Sequence, residues 1–335
     1  MRRTPMTSAL LGAVALVVTG CSSGSENADS GGGAGSTGGD IQLAGVLANT
    51  SDPFWASIAC GAQEEADARG VELDLFTSTA IDDNQTASNF QTATLGEPDG
   101  IFANPFNGNQ FVAQYKTLME QGVPVVTATG TQPRTEYQVV FSDADTADFA
   151  EEALATVPAG AGSMVYMGGA PGIPPLEART TPLLDAIAES RADLTRLEDE
   201  FSGFDINKAT TDASSLIIAN PDLTLIVAAA GPDAVGAAAA IEQAGKVGEI
   251  TLIAFDAIPP EVEALKRGTI TVLVAQNPFE IGRQQVGALV DYLEDNPDGG
   301  PVPTTAEPVG IPQRLLTAET IDDPQNADYI YKAEC

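Results

Sequence analysis

Five short stretches of the chain combine side chains that could hold a small molecule. They are Ser51-Asp52-Pro53-Phe54-Trp55, Ala103-Asn104-Pro105, Glu177-Ala178-Arg179, Ala254-Phe255-Asp256 and Ala275-Gln276-Asn277-Pro278. Rings such as Phe54, Trp55 and Phe255 offer flat apolar faces, which suit the C–H faces of a polyhydroxylated ring. Asp52, Asn104, Arg179, Asp256 and Gln276 supply donors and acceptors that can satisfy hydroxyls in a dry cleft. Such a site rejects ligands that lack hydroxyls, because its own polar groups would be left unpaired. Each residue also has a plainer reading. Asp52 before Pro53 and Asp256 after a strand both suit helix caps. Phe54 and Trp55 suit a core, Asn104-Pro105 a turn, and Arg179 a surface ion pair. The argument for a site rests on finding them together at corresponding strand ends.

Catalytic chemistry is sparsely equipped. The chain contains no His, which removes the commonest general base and metal ligand and every Ser-His or Cys-His arrangement. The Gly-rich run Met167-Gly168-Gly169-Ala170-Pro171-Gly172 lacks the spacing of the phosphate-binding fingerprints, and no Lys follows it. No enzymatic activity, cofactor or metal is expected. The net charge of −32 is spread along the chain and repels nucleic acid and anionic lipid.

Behind these residues the chain alternates short apolar runs with amphipathic stretches. Strands are expected at Ile41–Ala48, Val71–Phe76, Gly100–Ala103, Pro124–Ala128 and Gln138–Phe141, with helices at Phe54–Arg69, Asp83–Leu95 and Gln110–Gln121 between them. A second series runs from a helix at Asp145–Thr156 to one at Phe279–Leu293, with strands at Ser163–Met167, Leu194–Phe201, Leu223–Ala229, Glu249–Phe255 and Thr271–Ala275. Its other helices are Leu176–Ser190, Ile206–Ala219, Ala234–Ala244 and Pro260–Arg267. This alternation predicts parallel sheets covered by helices on both faces. There are too many units for one comfortable sheet, so a division falls near Phe141–Asp145. In such folds ligands sit at the carboxyl ends of the strands, where the five stretches lie.

The N-terminus addresses the chain outward. Arg2 and Arg3 precede an apolar run from Ala9 to Val18, too short to span a bilayer as a mature helix and arranged like a secretory signal. Val18-Thr19-Gly20-Cys21 resembles the bacterial lipobox, which implies lipidation at Cys21. A stretch rich in Ser, Gly and acidic residues follows to Gly39 and reads as a flexible tether. The remaining two cysteines, Cys60 and Cys335, would share a compartment that permits disulfides. A bridge between them is the expectation; the alternative is one buried thiol and one loose terminal thiol.

Across about residues 41 to 315 the sequence resembles the type I periplasmic binding proteins, specifically the ribose-binding-like sugar group. The likeness is carried by Asp52-Pro53-Phe54-Trp55, Gly61-Ala62-Gln63-Glu64-Glu65-Ala66, Asp99-Gly100-Ile101 leading to Asn104-Pro105, and Gly122-Val123-Pro124-Val125-Val126. Later pieces are Arg179, Ala234-Val235-Gly236-Ala237, Gln243-Ala244-Gly245, Ala254-Phe255-Asp256, Ala275-Gln276 and Ile281-Gly282. The resemblance implies two Rossmann-like α/β lobes with parallel sheets, hinged by three crossovers near Ser142-Asp143, Gln276 and Gly310–Arg314. Residues 1–20 would be a signal peptide and 21–40 a tether. Residues 41–142 and 277–311 would form the N-terminal lobe, and 143–276 and 312–335 the C-terminal lobe and tail. Asp52, Phe54, Trp55, Asn104 and Thr129 would bind ligand from the first lobe, Arg179, Phe255 and Asp256 from the second, and Gln276 at a hinge.

The implied role is a monomeric, lipid-anchored, extracytoplasmic solute-binding protein that delivers a sugar or polyol to the permease of an ABC importer. A ligand-sensing lipoprotein without a transport role would look the same in sequence. A repressor with this effector fold would need a basic helix-turn-helix, where this chain has a signal. Two departures bear on the ligand. Ribose binders of the family carry an Asp-Arg pair where this chain has Thr127-Ala128-Thr129-Gly130, and an Asn where it has Ala230. Each missing bond to a charged group is worth about 1.5–3 kcal/mol. Tight ribose binding is therefore not expected; a shorter polyol, a deoxy sugar or a less polar ligand suits the reduced site better.

Overall fold

The computed structural model describes residues 41–128, 130–131, 133–143, 146–157, 159–304 and 306–335. Cys21, Thr129 and the expected signal and tether lie outside the described residues. The first strands and helices are β1 (Gln42–Leu47), α1 (Pro53–Arg69), β2 (Glu72–Thr77), α2 (Asp83–Leu95), β3 (Gly100–Asn104), α3 (Val112–Glu120), β4 (Val125–Thr127) and β5 (Gln138–Asp143). Then come α4 (Thr146–Ala155), β6 (Gly162–Gly168), α5 (Pro174–Ser190), β7 (Leu194–Arg196), β8 (Glu200–Phe201), α6 (Ile206–Ala219), β9 (Leu223–Ala228), α7 (Gly231–Gln243) and β10 (Thr251–Phe255). The chain ends with α8 (Pro259–Lys266), β11 (Val272–Ala275), α9 (Pro278–Asp295), β12 (Val309–Pro312), β13 (Arg314–Leu316) and a 3-10 turn at Pro324–Tyr329.

Two sheets result. The first has the order β12-β5-β4-β3-β1-β2 and is parallel throughout. The second has the order β13-β11-β10-β9-β6-β7, with β8 also beside β6; only β13 runs antiparallel. Central strands read as continuous apolar runs because helices cover both faces: β1 is buried from Leu43 to Leu47. Leu43, Leu47, Phe102 and Val126 face α1 and α9, while Ala44, Val46, Ile101 and Val125 face Phe90, Tyr115 and Met119. The same division by alternate residues splits β6, β9 and β10 between two clusters in the second lobe. Leu47 lies beside both Thr77 and Asn104, so these strands end level and present their carboxyl ends together.

Helix α9 returns to the first lobe and docks on α1. The contact depends on glycines: a Cβ at Gly61 would lie 1.9 Å from the Phe279 carbonyl oxygen, and one at Gly282 would lie 2.0 Å from the Ile58 carbonyl oxygen. The chain passes between sheets after β5, at Gln276-Asn277, and at Gln313 between β12 and β13. Two of these passages are tied together, since Gln313 Nε2 donates to Ser142 Oγ at 3.1 Å.

Some local expectations shift. Leu194–Phe201 is two short strands rather than one, broken where Arg196 turns back to Asp199 at 2.8 Å. Helix α7 begins at Gly231 rather than Ala234, with Pro at its first turn, a position where its missing N–H costs nothing.

Candidate functional site

The predicted residues other than Thr129 gather around the meeting of the two lobes. Asp52 is the N-cap of α1; its Oδ1 accepts from the Phe54 amide at 2.8 Å, and Pro53 opens the helix. The capping role is therefore real, but Asp52 also faces Asp256 and Arg179 of the other lobe. Burial pushes its carboxyl up to about 6, and the charge of Asp256 adds to that, while the Phe54 amide and Arg179 oppose it.

Asp256, at the end of β10, is the hub. Its Oδ1 accepts from Arg179 Nη1 at 2.7 Å, Gln276 Nε2 at 3.1 Å and the Tyr331 hydroxyl at 3.1 Å. Its Oδ2 accepts from the Gly231 amide at 3.1 Å and Arg179 Nη2 at 3.3 Å. Gly231 is the first residue of α7, so the carboxylate also meets the positive end of that helix. The backbone of Asp256 has φ +93°, a region where side-chain-bearing residues are rare and Asp and Asn are the better tolerated. Arg179 is no surface residue: only 8% of it is exposed. It also donates to the Ala229 carbonyl and lies 5.6 Å from the centre of the Phe255 ring. Its Nε is buried without a partner among the described residues.

Phe54 packs against the cores of both lobes. It meets Trp55 edge-on at 5.2 Å and Tyr331 at 5.9 Å. Trp55 packs against the first lobe's core. Asn104 is 2% exposed and forms a reciprocal amide pair with Gln285 of α9, 2.9 Å in each direction. An amide has two donors and two lone pairs, so one of each remains. The structure thus joins Asp52, Phe54, Arg179, Phe255, Asp256 and Gln276 into one constellation, with Trp55 and Asn104 fixed on its first-lobe side.

Several participants escaped the sequence reading. Phe106 and Phe204 meet across the lobes, ring centres 6.1 Å apart and nearly perpendicular. Phe204 has φ +62°, and its ring lies where a Cβ on Gly169 would be, 2.2 Å away. The Gly-rich run after β6 therefore makes room for a ring rather than a phosphate. Asp233, fully buried in the first turn of α7, accepts from Ser202 Oγ at 2.5 Å, and its Oδ2 has no partner among the described residues. Burial lifts it to about 6, with Asp256 adding and Ser202 opposing. Glu261 accepts from the Ile258 amide at 2.9 Å; burial and then the charge of Asp256 drive its pKa well up. Cys60 and Cys335 are bonded. The only readable signals were an aromatic after Gly203, one two residues beyond Asn104, and the aromatic Tyr329-Ile330-Tyr331 near the terminus.

Two α/β lobes with a polar, aromatic-lined junction at their strand ends define a hinged binding protein. The periplasmic binding protein domain family matches residues 43–297, and the chain belongs to that family: it is a type I periplasmic solute-binding protein, extracytoplasmic and non-catalytic. It is similar to the D-allose-binding periplasmic protein of Escherichia coli K12, 25% identical over 264 residues that cover 75% of this chain and 84% of that protein. It is also similar to the ribose import binding protein of Salmonella typhimurium, 24% identical over 246 residues covering 73% and 82%. Among solved structures, an ABC transporter solute-binding protein of Agrobacterium vitis bound with α-D-tagatopyranose superposes with a TM-score of 0.76 at 24% identity. It covers 88% of this chain and all of that one.

Proposed function

We propose that this protein is the binding component of an ABC importer for a sugar or polyol, closing its lobes on the ligand and presenting the closed form to a permease. The observation that carries the reading is the convergence of Asp52 and Phe54 from one lobe on Arg179, Asp256 and Gln276 from the other. Groups split between two hinged bodies bind best when the bodies close, and a ligand that favours the closed form shifts that equilibrium. Sugar binding by the allose and ribose relatives supports the ligand class. Residues 41–142 with 277–311 are the first lobe in this reading, and 143–276 with 312–335 the second. Cys21 is its lipid anchor, and the protein works as a monomer.

The ligand is one that asks little of the positions around Thr129 and Ala230. Ala230 caps α7 without a side-chain bond, so no amide stands there to meet a hydroxyl. A thermal-shift panel of sugars, polyols and nucleosides on the whole chain, followed by calorimetry, tests this. A ligand selective for the folded closed form raises the melting temperature by mass action. A deoxy sugar or short polyol should bind more tightly than ribose. Nanomolar ribose binding would refute the ligand preference, and a panel in which only nucleosides bind would refute the sugar reading.

A further inference from the structure

The last residues of the chain leave the second lobe and fasten to the first. Ile321, Tyr329 and Tyr331 belong to a core of the second sheet, and the Tyr331 amide donates to Ala257 O at 3.0 Å. One residue later the allegiance changes. The Lys332 amide donates to Ser57 Oγ of α1 at 2.7 Å, and Ser57 Oγ reaches back to Lys332 O at 3.3 Å. The Lys332 ammonium sits 3.7 Å from the centre of the Phe279 ring. Cys335 then closes on Cys60, near Ser57 on α1. Neither sheet needs this tail, because β13 completes the second one at Leu316.

The same segment touches the binding constellation. Tyr331 is 2% exposed, its ring lies 5.9 Å from Phe54, and its hydroxyl donates to Asp256 at 3.1 Å. We infer that the tail is a fourth connection between the lobes, latched by Cys60–Cys335, and that Tyr331 is a positioning residue for Asp256, so that the redox state of the latch sets ligand affinity. A dithiol can open the latch: the disulfide takes up two electrons and two protons to give two thiols, and the dithiol becomes a disulfide. With the bridge intact the terminus cannot leave α1. Without it, the segment after Tyr331 is held to the first lobe by the Ser57 hydrogen bonds and one ring contact, a hold weak enough to open locally. Tyr331 then keeps only the contacts of its own lobe, and its hold on Asp256, one of the donors that fix the carboxylate, loosens.

Two measurements test this, and only the second depends on the sugar-binding reading. The first is amide hydrogen exchange on the ligand-free whole chain, with and without dithiothreitol. Reduction should speed exchange at Tyr331 and at Phe255–Ala257, where the Asp256 amide is bonded to Val274 O, and the C60S/C335S variant should behave like reduced protein. Unchanged exchange at Phe255–Ala257 in the reduced protein would overturn the inference. The second is calorimetry with D-allose, D-ribose and D-tagatose as probes. Tyr331→Phe should weaken whichever binds by about tenfold in the oxidised protein and by much less in C60S/C335S. Equal losses in both backgrounds would show that Tyr331 acts independently of the latch and overturn it. If none of the three sugars binds, the same comparison is made with the tightest ligand of the thermal-shift panel, and exchange still decides on the latch.

Discussion

Removing either partner of the Arg179–Asp256 pair should cost about the same at neutral pH, and acid should separate the two variants. The pair is buried, with Arg179 and Asp256 each 8% exposed, so breaking it from either side costs about 3–5 kcal/mol. Arg179→Met leaves Asp256 among the carboxyls of Asp52, Asp233 and Glu261, each of which feels its charge. That cluster can relieve itself by taking up a proton. Asp256→Asn leaves a buried guanidinium, which cannot lose its proton. Asn is the replacement of choice because it tolerates the positive φ at this position. In that variant Asp52 and Asp233 are the remaining counter-charges; both titrate at about 6 in the intact protein, and losing the Asp256 charge lowers both. Lowering the pH from 7.5 to 5 should therefore shrink the deficit of Arg179→Met relative to wild type by at least ~1.4 kcal/mol, the worth of one pH unit. The deficit of Asp256→Asn should stay constant or grow. Urea unfolding followed by far-UV circular dichroism at both pH values measures this, and Trp55, the single tryptophan, reports whether the first lobe unfolds in step. Parallel deficits at the two pH values would refute the account of the cluster.

Other substitutions probe other parts of the structure. Asp233 titrates near 6 in the folded protein against an ordinary 3.8, so the folded state holds its proton more tightly and stability declines as pH rises between those values. Asp233→Asn should remove about 3 kcal/mol of that decline, read as a flatter plot of unfolding free energy against pH from 4 to 7. Gly282→Ala would place a Cβ 2.0 Å from a backbone oxygen of α1; prying the helices apart should cost about 3 kcal/mol or more, seen as a lower urea midpoint. Gly169→Ala would push on the Phe204 ring from 2.2 Å. It should lower ligand affinity severalfold while moving the melting temperature little, because Phe204 is only half-buried.

The scaffold was legible because its signals are local. Asp52-Pro53 starts α1 and Gly70 at φ +70° ends it, and both are visible in the residues themselves. Asp256, Arg179 and Gln276 were readable as strand-end or helix polar groups, and they meet. The partnership of Asn104 was not readable, since Gln285 lies 181 residues away on a helix that folds back from the end of the chain. Asp233 looks like an acid favouring a helix N-terminus, and nothing adjacent announces that Ser202 will bury it. Phe204 was obscured because Leu194–Phe201 reads as one strand, which hides the turn that carries the ring. Tyr331 sits in a tail that carries no helical or strand pattern; its position is set by bonds to Ala257 and to Asp256, the latter 75 residues away.

How the bonds of Asp256 are distributed decides which groups are left to read a ligand. An ionised carboxylate has about four lone-pair sites, and Arg179, Gln276, Gly231 and Tyr331 already occupy them. A ligand hydroxyl could bond to it only by displacing one of these donors, which gains nothing net. Asp256 is therefore an organiser: it aims the guanidinium and joins the end of β10 to the start of α7 and to the tail. We propose that recognition falls to groups with capacity to spare. Arg179 Nε is a buried donor with no acceptor among the described residues, and a ligand oxygen there would satisfy it. Asp52 uses one oxygen on its helix and keeps the other, and Asn104 keeps one donor and one lone pair beyond its bond to Gln285. A ligand that places a hydroxyl or ring oxygen at Arg179 Nε and a donor at Asp52 fits this division. On that argument Asp52→Ala should abolish discrimination between a polyol and its deoxy analogue at the matching carbon, with calorimetry of the two ligands as the measure. Undiminished discrimination in that variant would return the recognising role to Asp256.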